Sequence, residues 1–167
     1  MKLKIFTLIL LTFTLTCCAQ SSTNKTVREG EPDIYSVNDA DTAMNDAIKK
    51  ANKNFEHFEK AIASKKPKYE YFSIKQRFDI STGGEHIWIQ DIKIKNGNYI
   101  GVVGNEPVNT NEVRLGETIT IDKSKISDWM FFDNGIAQGA YTIKVLRDQM
   151  TEEERAIFDS ETGLIFN

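Results

Sequence analysis

Residues 126–146 read ISDWMFFDNGIAQGAYTIKVL, and the pairing of this stretch decides the fold. Asn134-Gly135 is the dipeptide best suited to a two-residue type I′ turn, because both central positions need φ > 0. The flanking runs are rich in aromatic and β-branched residues and predict a hairpin, with Tyr141, Ile143 and Val145 on one face of its return strand. From Trp129 to Phe132 both strand faces are apolar, which a sheet wet on one side does not tolerate. Either two layers sandwich this hairpin, or one face is an exposed aromatic patch for a ligand or protein.

The chain before it also reads as β structure. Tyr69 to Ile80 alternates imperfectly and is broken by Ser81-Thr82-Gly83-Gly84. His86–Lys95 and Asn98–Val103 flank a second Asn-Gly turn at Asn96-Gly97 and form another hairpin. In its first strand Ile87 and Ile89 share one phase, while Ile92 and Ile94 share the other. That slip near Gln90-Asp91 predicts a β-bulge or a strand covered on both faces. Gly104-Asn105-Glu106-Pro107 starts a loop, and Glu117–Ile121 is a short strand with Ile119 and Ile121 inward.

Two helices bracket the strands. Ala40, Met44, Ala47, Ile48, Ala51, Phe55, Phe58 and Ile62 recur at three- and four-residue steps, predicting one long amphipathic helix from Asp39 to about Lys65. Asn38 or Asp39 can cap it, and Asp41 adds negative charge at the positive end of its dipole. Its small residues suit close packing on a sheet. Thr151-Glu152-Glu153-Glu154 is a capping box that opens a short C-terminal helix. Strands joined by tight turns cannot be parallel. The expected fold is therefore α+β: an N-terminal helix on a strongly twisted, barrel-like antiparallel sheet of about six strands, then a short helix.

The first residues belong to export rather than to fold. Lys2 and Lys4 form a positive n-region, and Ile5 to Leu15 an apolar core of signal-peptide length. Leu15-Thr16-Cys17-Cys18 resembles a bacterial lipobox, with Cys18 the better lipidation site and Cys17 the alternative. The organisation expected is a lipoprotein signal peptide over 1–17, a lipid-bearing (palmitate-type) cysteine and flexible tether over 18–37, and one globular domain over 38–167. Both cysteines lie within the first eighteen residues, so the domain has no disulfide chemistry. The localisation expected is the bacterial cell envelope, lipid-anchored and facing the periplasm.

The formal charge of −3, with no basic cluster beyond Lys65-Lys66-Pro67-Lys68, argues against a nucleic-acid partner. Losing Lys2 and Lys4 with the leader makes the mature chain more acidic still, at −5.

Several motifs together resemble the YegJ-like family of bacterial proteins, domain of unknown function 2314. They are the Met44…Ala47-Ile48…Ala51…Phe58 helix, Glu85-His86-Ile87-Trp88, Gly104-Asn105-Glu106-Pro107, Leu115-Gly116-Glu117, Ile126-Ser127-Asp128-Trp129-Met130, Asn134-Gly135 and Gly139-Ala140-Tyr141-Thr142. The resemblance covers about residues 39–159. It implies a domain but no reaction, substrate or catalytic residue. One departure is Ala140, where the family pattern carries a second glycine; alanine there argues against left-handed angles at both turn positions.

His86 is the natural acid–base candidate, entering a strand just after Gly83-Gly84, although Glu85 points to the opposite face. Asp128 and Asp133 are the carboxylates it would work with, and they fall on opposite faces unless a bulge intervenes. Ser127 lacks a nucleophile elbow and an identifiable base. His57, off the apolar stripe, reads as exposed. Ligand- or partner-binding candidates are Trp88, Asn105, Glu106, Asp128, Trp129, Asn134 and Tyr141. If Trp129 is buried its indole N–H needs a partner, with Asp128 or Asn134 available. No metal-ligand spacing and no cofactor motif is present. The reading is a membrane-anchored envelope lipoprotein with a non-catalytic domain that binds a protein or small ligand. The alternatives are an envelope hydrolase using His86 with Asp128 or Asp133, and a structural or stress lipoprotein, oligomeric in one version.

Overall fold

The computed structural model describes residues 23–28, 31–37, 41–81 and 83–166. The segment expected to be a signal peptide, Cys17, Cys18, Asn38 and Asp39 lie outside the described residues. The chain divides after Ser36 into two units. In the first, β1 (Thr23–Arg28) and β2 (Glu31–Val37) pair as a two-stranded sheet. A structureless tether is thus corrected over these residues, where Thr23, Thr26, Val27, Ile34, Tyr35 and Val37 are good strand formers.

The second unit carries the predicted α+β order. Its sheet runs β6-β5-β4-β3-β7-β8, every neighbour antiparallel, from β3 (Tyr69–Ile80), β4 (Gly83–Lys95), β5 (Asn98–Val103), β6 (Thr118–Thr120), β7 (Ile126–Asp133) and β8 (Ile136–Gly139). The sheet is open, with β6 and β8 as edges, and does not close into a barrel. Asn96-Gly97 and Asn134-Gly135 both take the positive φ values of type I′ turns. The predicted bulge is present: the β4–β5 register shifts between Gln90 and Lys93, with Asp91 at φ 53°. It carries Ile92 to the same buried side as Ile87 and Ile89.

The long helix is two. Helix α1 (Thr42–Lys53) is capped by Asp41, whose side chain accepts from Met44 N at 3.0 Å, and α2 (Phe55–Ser64) follows after Asn54. Asn52-Lys53-Asn54 is weak helix-forming sequence, and tertiary contacts hold the break. The Trp129 indole N–H donates to Ala51 O at 2.8 Å, and Asn54 Nδ2 donates to the Tyr141 hydroxyl at 3.0 Å. The Trp129 partner is therefore a carbonyl in the last turn of α1, which also accepts from Asn54 N at 3.2 Å, not Asp128 or Asn134.

These helices cover one sheet face. Ala51, Phe58 and Ala61 pack on Ile74, Phe78, Ile87, Ile89, Trp129 and Phe131. Phe58 and Phe131 lie at the centre of a ring cluster that includes Phe72, Tyr69 and Trp129. His57 is exposed as expected, its ring edge meeting Phe131 at 5.4 Å.

The return strand of the opening hairpin is the main correction. After Gly139 the chain enters α3 (Tyr141–Gln149), so Tyr141, Ile143 and Val145 are helical. Gly139 has φ 76° and Ala140 φ 52°, so left-handed angles occur at both positions after all. A Cβ on Gly139 would strike the Trp129 backbone carbonyl oxygen and lie 2.5 Å from its ring. This close approach needs glycine; Ala140 takes its left-handed angle at about 1–2 kcal/mol. Helix α4 (Glu152–Thr162) opens with the predicted Thr151–Glu154 capping box.

Candidate functional site

In antiparallel pairs directly opposed residues share a face. Lys75 opposes Trp88 on one side and Asp128 on the other, so these three line the sheet face turned away from α1 and α2. Arg77 and His86 oppose one another on the next rung. A register shift between Lys75 and Gln76 inserts Ser127 as an extra residue in β7. This bulge re-aims its hydroxyl.

Asp128 is fully buried and accepts four hydrogen bonds. Oδ1 receives Trp129 N at 2.8 Å and Tyr141 N at 3.1 Å; Oδ2 receives Thr142 N at 2.7 Å and Thr142 Oγ1 at 2.6 Å. Ala140, at the N-cap of α3, has no side-chain oxygen to offer the first turn. Asp128 performs that capping from a strand thirteen residues upstream of Tyr141, placing negative charge at the positive helix end. Burial pushes its carboxyl pKa up, and the Thr142 hydrogen bonds and the Lys75 charge oppose that rise.

Lys75 completes the network. Its Nζ donates to Thr142 Oγ1 at 3.3 Å and lies 5.5 Å from the centre of the Trp88 ring. Burial lowers its pKa, and the Asp128 charge partly restores it. Lys75 nevertheless retains partial solvent exposure, as do Trp88 and His86.

Ser127 is 2% exposed, its hydroxyl donating to Lys75 O at 3.2 Å and lying 2.8 Å from His86 Nδ1. The side chain that meets Ser127, which the sequence could not identify, is thus His86. Which of the two groups donates across the 2.8 Å contact is set by the histidine tautomer, and in either case the contact orients the ring against the bulge.

The remaining candidates do not converge here. Asp133 pairs with Lys68 at 2.8 Å at the hairpin end and, as the parity predicts, sits on the face opposite Asp128. Asn134 is in the turn and donates to Asp133 at 2.9 Å. Asn105 Oδ1 accepts from Trp88 N at 2.9 Å, closing the end of the β4–β5 ladder, and Glu106 is exposed in the loop beyond. Trp129 belongs to the opposite, helix-covered face, with Tyr141 packed edge-on at 5.7 Å. Glu85, pointing away from His86, accepts from the backbone N–H groups of Val108, Asn109 and Thr110 at 2.6–2.8 Å and ties down that loop. An open cleft of about 540 Å³ lies beside this loop, lined by Asp79, Ser81, Asn111 and Glu112 among others. Arg77 and Lys125 neutralise Asp79. Among the described residues no group of three or more His, Cys, Asp or Glu side chains could hold a metal ion, and no helix is long and apolar enough to cross a membrane.

Lys75 and Thr142 are the residues that sequence reasoning missed. A lysine between Ile74 and Gln76 reads as an ordinary outward strand position. Thr142 could be recognised only after the chain was known to turn into a helix at Ala140.

The fold and this face define a small bacterial α+β domain with a helix-backed open sheet. The chain belongs to the family described as an uncharacterized protein conserved in bacteria, domain of unknown function 2314, whose model matches residues 41–166. It is 38% identical to a protein of Neisseria meningitidis serogroup B that is named as an ankyrin repeat protein. That match covers 82% of this chain and 57% of the relative, so the chain spans little more than half of that protein's length. It is 35% identical to the uncharacterized protein YegJ of Escherichia coli K12, over 67% of this chain and 72% of that protein. No solved structure matches the chain at a significant level.

Proposed function

We propose that this protein is a lipid-anchored lipoprotein of the bacterial envelope whose globular domain binds a partner without chemistry. The observation that carries the binding reading is the division of labour on the sheet face turned away from α1 and α2. Asp128 and Ser127 are spent on capping and bulge contacts, while Lys75, His86 and Trp88 keep partial exposure beside them. Such a face offers recognition groups, with the polar residues behind them already committed. The anchoring rests on the leader alone: a short apolar core, then Leu15-Thr16-Cys17-Cys18.

Membrane fractionation tests the anchor. Cys18→Ser is expected to move the protein out of the membrane fraction and abolish incorporation of labelled palmitate, whereas Cys17→Ser is not. A membrane-bound Cys18→Ser protein, with release by Cys17→Ser, would shift the assignment by one residue. Release by neither variant overturns it.

A hydrolase centred on His86 has one observation in its favour, the 2.8 Å contact with Ser127. It requires turnover of an envelope ester or amide by the folded domain that His86→Ala abolishes. That result would displace the binding reading.

A further inference from the structure

Lys75 stands apart from the lysines whose ion pairs decorate this domain. Lys49, Lys60, Lys68, Lys123 and Lys125 each hold a carboxylate at 2.7–3.0 Å. Lys75, in the middle of β3, has no carboxylate within 4.0 Å among the described residues. An ammonium has three donors, and Lys75 places one of them in a single long bond, 3.3 Å to Thr142 Oγ1. The negative charge behind that hydroxyl is already engaged by three backbone N–H groups and the threonine. Partial removal of an ammonium from water is costly unless it is paired and hydrogen-bonded. The sheet thus holds a half-paired cation, and holds it rigidly: its strand is flanked on both sides by long ladders with β4 and β7.

Its surroundings suit an oxyanion. Trp88 lies directly across the ladder as an aromatic wall, partly exposed, and His86 is one rung further along the same face. We propose that Lys75 is the anchor of an oxyanion-binding site, taking a carboxylate or phosphate group of a small ligand whose body lies on Trp88. This rests on the binding reading above and names the chemistry of what is bound. An ammonium–oxyanion hydrogen bond is charge-assisted and roughly twice as strong as a neutral one. Binding would raise the pKa of Lys75, since an opposite charge favours the ammonium that burial disfavours.

The test is an NMR titration of the full chain in nonionic detergent with sodium acetate, sodium phosphate and, as control, sodium chloride. Saturable shifts of the Trp88 indole and Thr142 amide signals are expected at millimolar anion, a single-contact affinity. Acetate alone would assign a carboxylate, phosphate alone a phosphoryl group. Lys75→Met should weaken binding about tenfold or more, while Lys75→Arg retains it. Should Lys75→Met fail to fold, Trp88→Ala, outside the Asp128 network, is expected to weaken binding, and Lys60→Gln, exposed on α2, to leave it intact. Shifts no larger at Trp88 than at Tyr99, or unchanged in Lys75→Met or Trp88→Ala, would overturn the site. A failed anchor in the fractionation experiment leaves this result untouched, and turnover lost in His86→Ala would sink the non-catalytic reading without moving the acetate or phosphate shifts.

Discussion

The two faces of strand β7 carry adjacent residues to opposite ends of protein chemistry. On the helical side Trp129 and Phe131 are fully buried among rings, and the one polar atom of Trp129 takes a helix carbonyl. On the other side Asp128 is equally buried, yet every interaction it makes is polar. Exposure alone does not separate core from site in this molecule. What separates them is whether the buried group is satisfied by packing or by a network that runs through buried Thr142 to the partly exposed Lys75.

Gly139→Ala should break the comparison altogether, because the turn after β8 lets α3 meet Asp128 while Tyr141 meets the helical layer. Overpacking against Trp129 and left-handed strain together predict a loss of about 3–5 kcal/mol in urea denaturation. Trp129→Ala removes the helical side of the strand alone. It also predicts about 3–5 kcal/mol, with the α1–α2 break losing its contact to Ala51 O. Asp128→Asn keeps the shape but turns an NH₂ group toward N–H donors, so about 1–3 kcal/mol is expected. Hydrogen exchange should show that loss concentrated in the first turn of α3, with α1 and α2 spared.

A smaller effect is expected from Ala140→Gly. Relief of a left-handed alanine, about 1–2 kcal/mol, is opposed by loss of a buried methyl worth about 0.8 kcal/mol and by glycine's chain entropy. A change within about 1 kcal/mol of zero is the outcome, and a large loss would show that the methyl packs indispensably. The mildest test concerns Tyr99, at the rim of the apolar side, where burial and the Glu59 carboxylate push the phenol pKa from 10.0 up to about 12. The folded state holds this proton more tightly than the unfolded chain. Its contribution is complete below pH 10.0 and declines as pH rises towards about 12. Tyr99→Phe should flatten that alkaline limb, as followed by thermal denaturation at successive pH values.

Much of the fold was legible because its signals are local. The Asn-Gly turns, the Gln90-Asp91 bulge, the Thr151–Glu154 capping box and the apolar stripe from Met44 to Ile62 all act within a few residues. Errors arose where a distant group overrode the local pattern. Tyr141, Ile143 and Val145 alternate as a strand would, yet Asp128 caps them into a helix. The helix stripe is continuous in sequence, yet it breaks at Asn54 where Trp129 and Tyr141 bind. The candidate site was half legible. His86, Trp88 and Asp128 could be picked out by residue type, but Lys75 and the His86–Ser127 contact depend on strand order.

By itself the sequence determined the α+β class, the two type I′ hairpins and the family, since each follows from short-range backbone preference or contiguous pattern. Tertiary structure alone decided that the sheet stays open, that one helix becomes two, and that a strand aspartate caps a helix beside an incompletely paired lysine. Those outcomes depend on hydrogen bonds between residues far apart in the chain, such as Asp128 with Thr142 and Trp129 with Ala51. Their energies exist only once the sheet has brought the partners together.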